Sequence, residues 1–252
     1  MIYFVRYLLI ALYTVIWGLP ATLIAPFDRH GRIICWIARQ WCMWIFATCG
    51  IRVVVEGLEN VEPGQPHVFM NNHQSVVDIG ALVTTIPVDF GFIAKRELGW
   101  IPFFGWALAL SVGIMIDRGN NERAVASLVK AAEKVRAGTN VIIFPEGTRS
   151  PTGELRAFKS GGFHLAIQAQ VPVLPITISG SQHITPKGSL RVERGTVKIV
   201  YGKPISTTGM AAEDRLALKE QVRQAILAGY DWSFQGTDAQ HEADGVSRHP
   251  TS

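Results

Sequence analysis

The sequence contains few cysteines and lacks the motifs of several common enzyme classes. Its three cysteines, Cys35, Cys42 and Cys49, form no Cys-x-x-Cys pair, so neither a disulfide framework nor a zinc site is predicted. The Gly-x-Ser-x-Gly elbow of many hydrolases and the phosphate-binding Gly-x4-Gly-Lys-Ser/Thr loop are both absent. Charged residues make up only 17% of the chain, and its net charge of +4 is not gathered in a dense basic cluster. No nucleic-acid partner is therefore expected, whereas an anionic membrane surface or a phosphorylated substrate suits this charge.

The three cysteines recur at intervals of seven, which places them on one face of a helix. We interpret them as a buried packing stripe, the usual environment of free cysteine. Palmitoylation or redox sensing is the alternative, and nothing around these residues favours it.

The chain begins with a long apolar run. Residues 7–27 carry no charge, and a helix of that length is about as long as the bilayer core is thick. Gly18 and Pro20 interrupt the run, which membrane helices tolerate. A cleaved signal peptide needs small residues before the cut, but Leu19 and Leu23 stand there. We therefore expect the segment to stay in the mature protein.

A second apolar run covers residues 33–51 and is broken only by Arg39. Its tryptophans favour the membrane–water boundary. Two full crossings would place the arginines of the turn at 28–32 on the far side of the membrane and Arg39 inside it, and both are unfavourable. We predict a hairpin that enters one leaflet, or one span with an interfacial helix. A plain two-span hairpin stays open as the alternative.

From residue 52 onward, short β-branched runs alternate with helical patterns. The predicted strands cover residues 52–56, 67–70, 90–94, 113–116, 140–144, 173–179 and 196–201. The predicted helices cover 75–86, 103–110, 122–137, 161–170 and 211–227. This alternation predicts the α/β class, with a mixed, mostly parallel sheet covered by helices. The domains are then 1–51, an N-terminal membrane-associated two-helix hairpin; 52–232, the α/β domain; and 233–252, a disordered polar tail.

The first candidate site is the segment NNHQSVVD, residues 71–78, between a predicted strand and a predicted helix. In one interpretation, Ser75 caps the helix and Asp78 completes a capping box. In the other, Asp78 accepts the Nδ1 proton of His73, which fixes the tautomer and leaves Nε2 as a base. An ordinary strand-end histidine is the simpler alternative for His73.

Two further segments end predicted strands with charged residues. In GIMIDR, residues 113–118, Arg118 is either a phosphate ligand or half of an Asp–Arg pair exposed to water. FPEGTRS, residues 144–150, follows a buried strand, and ligands of open α/β sheets bind at such carboxyl ends. Gly147 would let backbone amides approach an anion, and Arg149 offers a planar fork for phosphate. A plain polar loop is the alternative.

The segment VPVLPI, residues 171–176, by itself indicates only an edge or bulged strand. In their order and spacing, however, these four segments resemble the PlsC-type glycerolipid acyltransferase family. AKREL (94–98), IPFFGW (101–106) and FKSG (158–161) add to the resemblance, which spans residues 51–206.

The resemblance implies a catalytic pair, His73 and Asp78. It implies acceptor-phosphate binding at Arg118, Glu146, Gly147, Thr148 and Arg149. Other positions in the matching segments are Asn72, Ser75, Lys95, Lys159 and Pro175.

The implied reaction moves a fatty acyl group from acyl-CoA or acyl-carrier protein to the sn-2 hydroxyl of lysophosphatidic acid, with no cofactor and no metal. His73 would act as the general base, and backbone amides near the start of the Ser75 helix would stabilise the oxyanion. The expected location is the inner membrane, with the catalytic domain facing the cytoplasm and membrane phospholipid as a partner. The alternatives are another acceptor, such as a lyso-ornithine lipid, and a non-catalytic membrane lipid-binding protein.

Overall fold

Two apolar helices open the chain, as the sequence predicts. The computed structural model describes residues 2–28, 30–103, 105–106, 113–116, 121–234 and 236. Helices α1 (Ile2–Ile24) and α2 (Arg32–Cys49) pack together through edge-to-face contacts of Trp17 with Trp36 and Trp44. By length and composition α1 could cross a membrane, and most of its apolar side chains are exposed. This exposed apolar surface marks the chain as membrane-associated.

Helix α2 has a different role from α1, because one of its faces belongs to the main hydrophobic core. The three cysteines are buried, and Cys42 and Cys49 pack in one cluster with the sheet, which confirms the predicted stripe. Arg39 donates hydrogen bonds to the carbonyls of Ile86 (3.2 Å) and Val88 (2.6 Å) and so is not left unpaired in an apolar layer. The division of the chain at residue 51 stays a prediction.

A seven-stranded sheet forms the centre of the molecule. Its spatial order is β1-β7-β6-β2-β5-β3-β4, and every neighbouring pair is parallel except β6 with β7. This confirms the predicted mixed, mostly parallel sheet. The strands are β1 (Ile51–Glu56), β2 (Val68–Asn71), β3 (Phe90–Lys95), β4 (Ile114–Ile116), β5 (Asn140–Ile143), β6 (Val173–Ser179) and β7 (Gly195–Tyr201).

Helices cover both faces of the sheet. Among the described residues beyond the hairpin, the α-helices include α3 (Val77–Thr85), α4 (Asn121–Arg136), α5 (Gly161–Ala169), α6 (Ser181–Ile184) and α7 (Arg215–Ala228). Short 3-10 helices cover Leu58–Asn60, Arg96–Trp100 and Ala212–Asp214. Alternate residues of β2 show the two layers: Phe69 packs in the cluster with α2 and α3, and its neighbours Val68 and Met70 pack in the cluster with α4, α5 and α7. The short helix α6 was not predicted, since four residues carry no measurable helical period.

Strand β6 corrects one expectation. VPVLPI suggested an edge or bulged strand, but β6 lies between β7 and β2 and is buried along its whole length. Pro175 is tolerated there because its carbonyl accepts from the amide of Gly202 (2.8 Å), beyond the last residue of β7. In a β-strand, the N–H and the C=O of one residue point toward the same neighbouring strand. The N–H that Pro175 lacks would therefore point toward the end of the β6–β7 ladder, and no hydrogen bond to β2 is lost.

Three predictions fall mainly or wholly outside the described residues. They are Arg118, most of the helix at 103–110, and the tail at 233–252 from residue 237 onward. The side chain of Lys95, at the end of β3, also lies outside the described part.

Candidate active site

The candidate site lies at the carboxyl edge of the sheet, where three neighbouring strands end. β2 lies between β5 and β6 and runs parallel to both. The loop after β2 carries His73, and the loop after β5 carries Glu146. Because parallel strands end at the same edge, residues far apart in the sequence meet here.

His73 and Asp78 form the pair that the spacing predicted. The Nδ1 atom of His73 is 2.9 Å from Oδ2 of Asp78, whose carboxylate is fully buried. The ring of Phe144 packs against the imidazole with centroids 3.9 Å apart. Since Nδ1 is engaged, Nε2 is the nitrogen that can take up a proton from a substrate.

The same oxygen of Asp78 also organises the turn before α3. It accepts from the backbone amides of Gln74 (2.7 Å) and Ser75 (2.9 Å). A buried carboxylate is unfavourable unless it is paired and hydrogen-bonded, and three donors satisfy this oxygen. The orienting interpretation of Asp78 therefore fits this geometry, whereas only the Asp78 half of the expected capping box is present, as the hydrogen bond from the Ser75 amide.

Ser75 differs from its predicted place. Helix α3 begins at Val77, and Val76, not Ser75, occupies the N-cap position. The buried Ser75 hydroxyl donates to the carbonyl of Thr185 (2.8 Å) and accepts from the amide of Val77 (3.2 Å). Ser75 is thus a structural residue that joins α3 to the end of α6, and its hydroxyl is not presented to a substrate.

The amides expected to stabilise an oxyanion are largely occupied. Those of Gln74 and Ser75 donate to Asp78, and that of Val77 donates to Ser75. The amide of Asp78 donates to the Ser75 carbonyl at 3.4 Å. Saturated donors cannot also hold a developing oxyanion, so the expectation fails for these four amides.

Glu146 binds backbone amides of the site and is not placed as a phosphate ligand. Its buried carboxylate accepts from the backbone amides of His73 (2.7 Å) and Arg156 (2.9 Å), one on each oxygen. Burial raises the pKa of Glu146, and the two backbone hydrogen bonds oppose that shift. An anion held in this way repels a phosphate, so its role is to fix the turn that carries His73.

The residues after Glu146 form a more open, cationic loop. Gly147 has a positive φ of 72°, and a Cβ there would lie 2.9 Å from Cε of Lys159. Only glycine therefore lets the stem of Lys159 cross this turn. Thr148 is exposed and Arg149 is half-buried. The phosphate-binding role of Gly147, Thr148 and Arg149 stays a prediction.

Asn72 has a structural role that the sequence does not specify. Its amide donates to the carbonyl of Ile178 and accepts from the amide of the same residue, both at 2.8 Å. The side chain thus continues the pairing of β2 with β6 past the end of the strand. It fixes the position of His73 at the edge.

Two residues that contact the site, Tyr230 and Lys187, were not predicted from the sequence. Gln74 donates to the hydroxyl of Tyr230 (2.5 Å) and to the carbonyl of Gly153 (2.7 Å). Lys187 donates to the carbonyl of Arg149 (2.8 Å). Tyr230 and Lys187 stand outside any recognisable motif, and only the fold brings them to the site.

Comparisons with known proteins agree with this geometry. A family model described as "Acyltransferase" matches residues 52–179. The human 1-acyl-sn-glycerol-3-phosphate acyltransferase alpha is 38% identical over 192 residues, which cover 76% of this chain and 68% of that protein. The 1-acyl-sn-glycerol-3-phosphate acyltransferase of Pseudomonas aeruginosa is 36% identical over 208 residues, 81% of this chain and 80% of that one.

A solved structure shares the fold. The crystal structure of the 1-acyl-sn-glycerophosphate acyltransferase PlsC from Thermotoga maritima superposes with a TM-score of 0.76 at 28% identity, covering 98% of this chain and 97% of that one. The chain therefore belongs to the acyltransferase family, together with the 1-acyl-sn-glycerol-3-phosphate acyltransferases of these organisms.

Proposed function

We propose that this acyltransferase transfers a fatty acyl group from an acyl thioester to the sn-2 hydroxyl of lysophosphatidic acid and so forms phosphatidic acid. The observation that carries the proposal is the 2.9 Å contact between His73 and a fully buried Asp78, beside the cationic loop at Arg149. Proteins of the same family with 34–38% identity are named for this substrate. Acyl-CoA or acyl-carrier protein serves as donor, and the reaction requires no cofactor.

The chemistry follows from one imidazole. Nε2 of His73 removes the proton of the acceptor hydroxyl as that oxygen attacks the acyl carbonyl. The carbon–sulfur bond then breaks, and the imidazolium returns the proton to the departing thiolate. Asp78 holds Nδ1–H throughout and stabilises the imidazolium between these two steps.

Arg149 and Lys159 provide the positive charge for the acceptor phosphate. Arg149 follows Gly147 by two residues, the Lys159 side chain lies over that glycine, and the exposed Thr148 adds a hydroxyl donor. A guanidinium can hold phosphate through two parallel hydrogen bonds, so Arg149 is the principal ligand in this proposal. Arg118, outside the described residues, is a second candidate ligand.

Helix α1 is proposed to lie in one leaflet rather than to cross the bilayer. Near its start, Arg6 donates to the carbonyl of Val192. Near its end, Thr22 donates to the carbonyl of Phe103 at 3.3 Å. A helix that is hydrogen-bonded to the domain at both ends cannot also extend away from the domain across a membrane. We place the active site at the cytoplasmic surface of the inner membrane, where soluble acyl donors can reach it.

A substrate panel tests the proposal. Purified chain in phospholipid vesicles is given lysophosphatidic acid, a neutral lysophospholipid or lyso-ornithine lipid, each with acyl-CoA or acyl-carrier protein as donor. We expect the phosphorylated acceptor to give the highest kcat/KM. A preference for lyso-ornithine lipid would mean that this lipid, and not lysophosphatidic acid, is the acceptor. Binding of all three lipids without product would indicate a lipid-binding protein.

A further inference from the structure

The loop that joins α6 to β7, residues 186–194, projects an apolar side chain between basic ones. Leu190 is 77% exposed at its tip, and both Lys187 and Arg191 are exposed beside it. Gly188, with a φ of 82°, lets the loop turn there. Val192, further along, is buried in the main core and fixes the base of the loop.

The loop touches the start of helix α1. Arg6 donates to the carbonyl of Val192, and the hydroxyl of Tyr3 donates to Glu193. On the same helical turns Ile2 is 59% exposed and Phe4 is 74% exposed. Leu190 is therefore two residues from a segment that is hydrogen-bonded to the apolar helix α1.

The other side of the loop touches the proposed phosphate site. The Nζ atom of Lys187 is 2.8 Å from the carbonyl oxygen of Arg149. The loop thus occupies the space between the membrane-associated helix and the residues that would receive the acceptor headgroup.

A single exposed leucine needs no explanation on a protein surface. Here, however, the leucine shares its loop with two exposed cations, and the loop is hydrogen-bonded to an apolar helix. This combination matches an anionic lipid surface in both polarity and charge. We propose that residues 186–194 form a second membrane contact, with Leu190 in the acyl-chain boundary and Lys187 and Arg191 on anionic headgroups.

This contact would place the membrane surface at the edge of the active site. A lysophospholipid could then reach Arg149 along the loop without leaving the interface. The inference deepens the proposed function and rests on it for the position of the acceptor in the membrane.

Depth measurement on a nitroxide tests the contact directly. The full chain with Leu190→Cys is spin-labelled and reconstituted in vesicles of phosphatidylcholine and phosphatidylglycerol. Leu216→Cys on α7 is the matched control, since Leu216 is also exposed (66%) but lies on a helix that packs on the other face of the sheet. Wild-type chain treated with the same label gives the background from the three buried cysteines.

We expect the label at 190 to be reached by oxygen and protected from a water-soluble nickel chelate, at a depth of about 5–10 Å. The label at 216 should show the opposite preference. Adding Lys187→Glu and Arg191→Glu should move the label at 190 toward water, because each cation near an anionic surface strengthens the association by about fivefold.

Two results would overturn the proposal. One is a label at 190 that is as accessible to nickel as the label at 216. The other is a label protected from both reagents, which would mean that protein covers the loop.

Acylation of lysophosphatidic acid is assayed in the same vesicles. An active enzyme with a water-exposed label rejects only the loop contact, and an inserted label without acylation rejects only the proposed reaction.

Discussion

One oxygen of Asp78 connects the catalytic and structural requirements of the site. It accepts from the His73 imidazole and from two backbone amides at the start of α3. The His73-x4-Asp78 spacing predicted the orienting role, and the Ser75-x-x-Asp78 spacing separately predicted a capping role. Neither spacing could show that one atom performs both.

Replacing Asp78 with Asn should lower kcat strongly and leave the acceptor KM nearly unchanged. The amide is similar in shape but cannot stabilise an imidazolium, and such a loss is typically on the order of 10²–10⁴-fold. Steady-state rates with lysophosphatidic acid measure it. Asp89→Asn, at the start of β3 and therefore at the opposite edge of the sheet, is the control and should retain activity. A similar loss in both variants would point to a general effect on folding.

Replacing Arg149 with Ala should mainly raise the KM for a phosphorylated acceptor. A hydrogen bond to a charged group contributes about 1.5–3 kcal/mol, which corresponds to roughly 10–150-fold in kcat/KM. Lysine should restore only part of this, since it lacks the planar fork. Arg136→Ala, at the end of α4, serves as control. An unchanged acceptor KM in Arg149→Ala would remove this residue from the phosphate site.

Replacing Glu146 with Gln should reduce turnover, because the amide can accept from only one of the two backbone donors. An unsatisfied buried donor costs about 1–3 kcal/mol, so the melting temperature should also fall. Since burial raises the pKa of the carboxyl in the folded chain, its contribution to stability declines as pH rises through that pKa. The stability advantage of the wild type over Glu146→Gln should therefore shrink as pH rises above the ordinary pKa of a glutamate carboxyl. Thermal unfolding of both proteins across this range checks the sign.

At the scale of elements, α2 shows what a local pattern cannot reveal. Its tryptophans and apolar residues resemble those of a membrane helix, and the cysteine interval correctly predicted a buried face. The partners of Arg39 follow α3, at Ile86, Val88 and Asp89, far along the chain. Only the tertiary structure shows that this helix belongs with the sheet core.

Two truncations separate the roles of the hairpin helices. Removing residues 1–31 should leave a cooperatively folded chain, because α2 keeps Cys42, Phe46 and Cys49 in the core. Removing residues 1–51 deletes those side chains, and burial of a large apolar side chain such as Phe46 alone stabilises a fold by roughly 1.5–3 kcal/mol. Denaturant unfolding should show a clear transition for the first truncation only.

The shorter truncation should also separate membrane attachment from catalysis. Without α1, activity on vesicle-embedded acceptor should fall much further than activity on a short-chain, water-soluble analogue. Equal losses on the two acceptors would mean that α1 supports the fold of the active site and does not serve to reach the membrane.

At the scale of the whole molecule, the sheet explains how distant segments form one site. The sequence allowed accurate prediction of the strands, because apolar β-branched runs bounded by turns are local signals. It did not allow prediction of their order, since the position of β2 between β5 and β6 depends on pairing across long separations. For the same reason the contacts of Gln74 with Tyr230 and of Lys187 with Arg149 could not be predicted.

The burial of the three cysteines and of Ser75 predicts the kinetic order. The three cysteines are buried on α2, and the Ser75 hydroxyl is buried and hydrogen-bonded. Donor and acceptor must then be bound together for direct transfer. Initial-rate plots at several fixed donor concentrations should intersect. Parallel lines, with a stoichiometric acyl adduct on the intact protein when the acceptor is withheld, would indicate a covalent intermediate instead.

The proposed reaction depends on activation of the sn-2 hydroxyl of lysophosphatidic acid by the His73 imidazole. The most direct measurement is phosphatidic acid formation by purified His73→Ala in vesicles, beside wild type, with melting temperatures to confirm that both are folded. We expect abundant product from the wild type and loss of transfer by at least about 10²-fold in the variant, with the acceptor still bound. Near-normal formation of phosphatidic acid by a folded His73→Ala protein would contradict this expectation.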